Sequence, residues 1–238
     1  MQHTDRASRI RHSLLAGIAG VLPILVGVVP FGLVAGAAVR QAGFGVAESI
    51  GMSVIVFAGA SQIAATTLLG GGAPLWVALG TALVINARMF IYGVSIAPHL
   101  ADAPGWLRPI LGYMLVDQNY ASTMTDGRSR DDVDVVAYYA GGGVSLWIVW
   151  QISSIAGALL GPFIPASWGL EFAVPLVFLA MLAPSLKDRT AVGVAVVTGV
   201  AAALFVPLLP LQSGLIVAIL VGMAYGAWRD RPKPGEAS

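Results

Sequence analysis

The stretch "TALVINARMFIYGVS", Thr81 to Ser95, decides the fold class. It is apolar almost throughout, yet it carries Asn86 and Arg88 near its middle. The nearest charged residues are Glu48 before it and Asp102 after it. A guanidinium in the middle of an oily segment costs about 2.5–3.5 kcal/mol on membrane-insertion scales. It must face protein or a water cavity, and it calls for a counter-charge.

The rest of the chain resembles this stretch. It is 57% hydrophobic and 11% charged, with a mean hydropathy of +0.83. A soluble domain carries about 25% charged residues, so the composition points to lipid as the solvent. No Lys/Arg-dense run is present to track a nucleic-acid backbone. The chain has no cysteine, which excludes disulfides and thiolate chemistry. Its histidines, His3, His12 and His99, are too scattered to suggest a zinc site. No cofactor is expected. An intramembrane enzyme fits poorly, since Ser61 has no intramembrane histidine to activate it.

A membrane-crossing helix needs about 20 mostly apolar residues. Eight stretches qualify: 14–36, 49–69, 75–97, 107–125, 135–160, 168–186, 190–207 and 211–228. None alternates polar and apolar as barrel strands do. The chain is therefore expected to be an all-α polytopic membrane protein of about eight transmembrane segments, some broken or kinked at Pro or Gly. Residues 14–228 would form a single transporter domain. Residues 1–13 would be cytoplasmic and residues 229–238 a disordered tail.

Charge supports the fourth stretch, despite its Asp117, Gln118 and Asn119. With eight crossings, ten of the 13 Lys and Arg lie on the cytoplasmic side. Arg40 and Arg108 lie outside, and Arg88 within a span. Without the fourth crossing only Arg6, Arg9 and Arg11 remain inside, which violates the positive-inside rule. Both termini are accordingly expected in the cytoplasm. A weak echo between "GFGVAESIGMSVIVFAGAS" (43–61) and "SWGLEFAVPLVFLAMLAPS" (167–185) suggests an internal repeat.

Several residues are candidates for chemistry. Asp117 is the intramembrane partner available to Arg88, either as a structural ion pair or as one that opens to admit a substrate carboxylate. Asn86 and Arg88 lie about 200° apart on a regular helix, so they cannot share a face. "VFAGASQIAA" (56–65) reads either as close helix packing or as an interrupted helix in which Gly59, Ser61 and Gln62 line a site. In "GVVPFGLVAG" (27–36), Pro30 removes a backbone hydrogen bond and frees a carbonyl. Pro175 and Pro184 would do the same in the sixth stretch.

Together "PFGLVAG", "SVIVFAGASQIAA", "INARMFIYGVSIAPHL" and "GYMLVDQNYA" resemble the AzlC family, the large subunits of two-component branched-chain amino acid exporters. The resemblance covers most of residues 15–230 and is densest between Val29 and Ala121. It implies a bacterial cytoplasmic membrane and export of valine, leucine, isoleucine or methionine. It also implies a small AzlD-like partner of three or four spans. Exchange for protons, if coupled to export, would fall to Asp117, the intramembrane acid well away from an interface. The family's Asn-x-Arg motif falls on Asn86 and Arg88, and its Phe-x-Gly-x-Ser-Gln string on Phe57, Gly59, Ser61 and Gln62. Two departures stand out. Met89 occupies a position that is commonly His, and Asp117-Gln118 stands where an Asp-Glu pair is common.

A zwitterionic substrate would then meet Arg88 or the amides near Gly59 to Ser61 with its carboxylate. Its ammonium would meet Asp117 or carbonyls freed by Pro30. Phe31, Phe57 or Leu83 would receive its tail. The rival reading is a membrane scaffold in which Arg88 and Asp117 only hold helices together.

Overall fold

A computed structural model describes residues 2–163, 186, 188–208 and 213–229. Among these residues every element is helical. Contacts divide the chain into two units, Met1–Val177 and Phe178–Ser238.

In the first unit, three helices are long and apolar enough to cross a membrane. These are α1 (Gln2–Gln41), α4 (Leu75–Ile96) and α7 (Val135–Leu160). A 3-10 turn follows α4 at Ala97–Leu100, and another follows α7 at Gly161–Phe163. Residues 2–13, expected on the cytoplasmic side, are helical and run into the apolar stretch as one helix, α1.

Helices α1 and α7 run parallel and touch backbone to backbone. A Cβ on Gly141 would strike the Leu14 carbonyl, and one on Gly17 the Tyr138 carbonyl. Further along, Gly36 meets Ser154 and Gly157 meets Leu33. In lipid, where apolar burial drives little association, such small-residue contacts hold helices together. The starts of the two helices are also tied by polar contacts. The Asp134 amide donates to Ser13 Oγ at 2.8 Å, and Asp134 Oδ1 caps α7 by accepting from the Ala137 amide at 2.9 Å. Nearby, hydrogen bonds from Arg130 hold the exposed Asp132 carboxyl below the usual carboxylate range.

The second candidate span, 49–69, does not run through as one helix. It folds as α2 (Val46–Ile55), a break at Val56–Ala58, and α3 (Gly59–Gly70). The chain returns to where it started: a Cβ on Gly70 would lie 2.7 Å from the Ala42 Cβ, just past the end of α1. At 10 and 12 residues, the two arms are about 15 and 18 Å long. Each reaches roughly halfway through a 30 Å hydrocarbon core.

The fourth candidate span behaves in the same way from the opposite end. Helix α5 (Arg108–Tyr113) is followed by a break at 114–116 and by α6 (Asp117–Ser122), which continues as a π turn at Thr123–Gly127. Leu111 in α5 packs with Ile96 at the end of α4 and Tyr139 near the start of α7. At the far end of the hairpin, a Cβ on Gly127 would lie 2.9 Å from the Tyr138 ring. Both arms thus begin and end beside the start of α7. The order helix, then broken hairpin, occurs twice in opposite senses, an inverted arrangement typical of transporter folds. The repeat expected from residues 43–61 and 167–185 has its second copy outside the described residues, as do the sixth candidate span, Pro175 and Pro184.

These hairpins redistribute charge. Arg6, Arg9, Arg11, Arg108, Arg128 and Arg130 now lie at the end of the unit where α1 and α7 begin, while Arg40 lies at the other end. Arg108, placed outside by an eight-crossing count, lies with the other five because both ends of its hairpin sit beside the start of α7.

The second unit contains α8 (Arg189–Phe205) and α9 (Ser213–Arg229). Asp188 Oδ1 caps α8 by accepting from the Ala191 amide at 2.7 Å. The two helices pack antiparallel, with Gly193 against Tyr225 and Gly222 against Thr198.

Two measurements check this architecture. The native chain lacks cysteine, so single cysteines report sidedness directly. Gln41→Cys and Gly71→Cys should label from one membrane face, and Asp102→Cys and Ser129→Cys from the other; labelling of positions 41 and 71 from opposite faces would mean that 49–69 crosses. Gly59 is tightly packed, with a Cβ there 2.5 Å from the Trp150 ring and 2.6 Å from that of Phe31. Gly59→Leu should lower stability by about 1–3 kcal/mol through overpacking, read as a drop in the thermal unfolding midpoint in detergent.

Candidate functional site

The two hairpin tips meet. Tyr113, at the end of α5, donates its hydroxyl proton to the Val54 carbonyl at the end of α2. The same hydroxyl accepts from Trp147 Nε1 of α7 at 2.9 Å. The Phe57 and Tyr113 rings lie 6.0 Å apart. Between the tips is a cavity of about 300 Å³, lined by Ile55, Val56, Phe57 and Ala58 of the first break and by Gly112, Tyr113 and Leu115 of the second. Asn86 and Met89 of α4 complete its wall. Its size is at the lower end for small-molecule sites.

The breaks expose backbone groups inside the membrane, and side chains satisfy many of them. Gln151 Nε2 donates to the Ser53 carbonyl at 3.1 Å. Ser61 Oγ donates to the Ala58 carbonyl at 2.9 Å. Across the second break, Asn119 Nδ2 donates to the carbonyls of Met114 and Tyr139, each at 3.2 Å. What remains is directional. The carbonyl end of α2 carries partial negative charge, and the amide end of α3, at Gly59 to Ser61, partial positive charge. The two ends face each other across three residues.

Arg88 Nη2 and Asp117 Oδ2 lie 2.9 Å apart, joining α4 to the start of α6. The pair is 41% and 30% exposed within this unit. Tyr92, one turn beyond Arg88, stacks on Tyr120 at 4.5 Å, and Ser95 Oγ lies 2.9 Å from the Tyr120 hydroxyl. Two aromatic rings and two hydrogen-bonding groups thus continue the same α4–α6 seam. Neither Arg88 nor Asp117 lines the cavity between the tips. The regular helix separates Asn86 from Arg88, and they serve different neighbours. Asn86 Oδ1 is buried with no hydrogen-bond partner among the described residues, so the interhelical bond open to this residue is not made by that atom.

Other expected site residues fall in three groups. Phe57 lines the cavity. Gly59 and Phe31 lie behind it, where the Phe31 ring meets Trp150 edge-on at 5.4 Å. Ser61 and Gln62 are fully buried, but Ser61 turns back onto its own helix end. Pro30 and Leu83 do not contribute to this cavity. Helix α1 runs uninterrupted through Pro23 and Pro30, and Pro30 is exposed on its outer side. Leu83 is 73% exposed on the outer face of α4. Gln118 is half-buried beside Asp117 and off the cavity wall. Sequence reasoning missed Tyr113, Asn119 and Trp147, whose roles depend on a fold-back that hydropathy does not signal.

A sequence model described as AzlC protein matches residues 23–164. The inner membrane protein YgaZ of Escherichia coli (strain K12) is 25% identical over 233 residues, covering 92% of this chain and 94% of that protein. An uncharacterized membrane protein of Archaeoglobus fulgidus is 29% identical over 219 residues, covering 89% and 93%. The branched-chain amino acid transport protein AzlC of Bacillus subtilis (strain 168) is 24% identical over 181 residues, covering 75% and 70%. No solved structure matches. The family match spans both broken hairpins and the cavity between them: this chain belongs to the AzlC family.

Proposed function

We propose that the chain is the large subunit of a transporter that exports branched-chain amino acids and that the cavity between the hairpin tips receives the substrate. One observation carries the reading: opposite helix ends border a single mid-membrane cavity whose remaining wall is largely apolar. A free amino acid has the same pattern, with an ammonium and a carboxylate one carbon apart and an aliphatic tail.

The ammonium is assigned to the carbonyl end of α2, assisted by Asn86 Oδ1, which has an unused acceptor. The carboxylate is assigned to the first-turn amides of α3, as at other helix N-termini. Phe57, Met89 and Leu115 supply the apolar surface for the tail. An apolar pocket discriminates by only about 1–3 kcal/mol per methylene, so valine, leucine, isoleucine and methionine should overlap as substrates. The substrate class is supported by the name of the Bacillus subtilis relative.

In this reading Arg88 and Asp117 fix the second hairpin to α4 and do not touch substrate. By the positive-inside rule, we read the end of this unit that carries Arg6, Arg9, Arg11, Arg108, Arg128 and Arg130 as the cytoplasmic face of a bacterial inner membrane. With the C-terminus also cytoplasmic, residues 14–228 act together as one transport domain. A small AzlD-like membrane partner belongs to the reading. Its support within this unit is the outer face of α4, where Trp76, Leu79, Leu83, Phe90 and Ile91 are exposed beside the half-covered ion pair. Exchange for protons would use Asp117, a titratable group already inside the membrane.

Flux of labelled valine from proteoliposomes, with and without the small partner and across an imposed pH gradient, tests the function. Movement of branched-chain amino acids is the expected result; with the partner present, no movement of any aliphatic amino acid would refute it. Asn86→Leu should reduce transport at least tenfold without loss of folded protein. Arg88→Asp combined with Asp117→Arg should recover flux lost in either single variant. Failure of the exchanged pair to restore flux in correctly assembled protein would give Arg88 or Asp117 a direct role.

A further inference from the structure

Behind the first hairpin lies a second polar group that the transport reading does not use. Ser49 and Ser53 occupy one face of α2, one turn apart, and both are fully buried. Gln151 of α7 reaches this face, since its Nε2 binds the Ser53 carbonyl at 3.1 Å. Ser154 follows Gln151 by one turn and is also fully buried. On α3, Gly59, Gln62 and Thr66 form one stripe by helical spacing. Gly59 packs against Trp150, and Thr66 Oγ1 lies 3.8 Å from Met52 Sδ. Gln62, between them, is therefore directed into the same α2–α7 region, and it is fully buried.

The side-chain oxygens of Ser49, Ser53, Gln62, Gln151 and Ser154 have no hydrogen-bond partner among the described residues. Buried polar atoms in folded proteins are nearly always partnered. Four of these oxygens, on Ser49, Ser53, Gln62 and Gln151, belong to the α2–α7 region, while Ser154 lies one turn on, where its backbone meets Gly36 of α1; unpaired oxygens set in a membrane with no bulk water indicate an additional occupant. The unpaired donors among these neighbours, Gln62 Nε2, Trp150 Nε1 and the serine hydroxyls, are all neutral, so none supplies the positive charge that would hold an anion. No carboxylate contributes, and divalent cations rely on carboxylates. Ser53 is also in the last turn of α2, whose carbonyl end favours positive charge.

We propose that Ser53, Gln62 and Gln151, with Ser49 and Ser154 one turn further, bind a dehydrated alkali-metal cation through neutral oxygens. The site lies on the α7 side of the first hairpin and is distinct from Arg88 and Asp117, which join the second hairpin to α4. Its existence does not depend on the identity of the transported molecule.

The test uses the purified full-length chain in detergent, at constant ionic strength, without amino acid. Choline is replaced stepwise by Na⁺, K⁺ or Li⁺, and the thermal unfolding midpoint is followed. A saturable rise with at least one alkali cation is expected. Gln62→Leu and Ser53→Ala should each raise the half-saturating concentration at least tenfold, while Asp117→Asn should leave it unchanged. If Gln62→Leu does not fold, Ser53→Ala makes the same comparison. Midpoints identical in choline and in all three cations would overturn the proposal and mean that the oxygens hold water only. A response abolished by Asp117→Asn but retained in Gln62→Leu and Ser53→Ala would overturn it by placing the cation elsewhere. Absence of amino-acid flux would refute the transport reading and leave this result standing.

Discussion

A helix interrupted inside a membrane must find partners for the backbone groups it releases. The rest of this structure depends on how that requirement is met. At the first break, Gln151 covers the Ser53 carbonyl and Tyr113 the Val54 carbonyl in the last turn of α2, and Ser61 covers the Ala58 carbonyl. At the second, Asn119 covers the Met114 carbonyl while also binding α7. The first tip is repaired largely by side chains from α5 and α7, and the second by Asn119 of its own hairpin, which also binds α7. The hairpins are therefore defined only when α7 and the opposite tip are in place, and α1 holds α7 by backbone contacts too close for any residue but glycine.

This mutual repair leaves a division of labour. Helix α4 presents Asn86 and Met89 to the cavity on one side and Arg88 to Asp117 on the other. The charged pair bridges α4 and α6, and the Tyr92–Tyr120 stack continues the bridge one turn on. Among the described residues, no charged side chain lines the cavity. Its polarity comes from helix ends, the Asn86 amide and the Tyr113 hydroxyl; in the proposed function these hold a zwitterion without the desolvation cost of a buried, permanently charged partner. The energetic burden of Arg88 is thus met by structure, and the substrate reading does not require the ion pair to open.

Much of this was legible in the sequence. Composition alone defines a helical membrane protein. The Arg88–Asp117 pairing follows from the scarcity of intramembrane charge, and the separation of Asn86 from Arg88 follows from 3.6 residues per turn. The hairpins were not legible. Hydropathy records that residues 49–69 are apolar, but a fold-back and a crossing bury the same atoms. The Gly59 to Gln62 run signalled an interruption, but not that the chain returns to Ala42. Pro30 lies exposed in a helix that continues through it, so its missing amide leaves no visible break. Charge counting favoured the fourth stretch as a crossing because it assumed that the second one crossed. Once both are hairpins, the same rule puts Arg108 with Arg128 and Arg130.

The central claim is that a single substrate molecule contacts both hairpin tips. Protection of introduced cysteines tests it most directly, in proteoliposomes, with Ala58→Cys on the first tip and Leu115→Cys on the second. The account predicts that leucine slows maleimide modification at both positions with the same half-protecting concentration. Protection at one tip only, or at neither, in protein that transports leucine would contradict it.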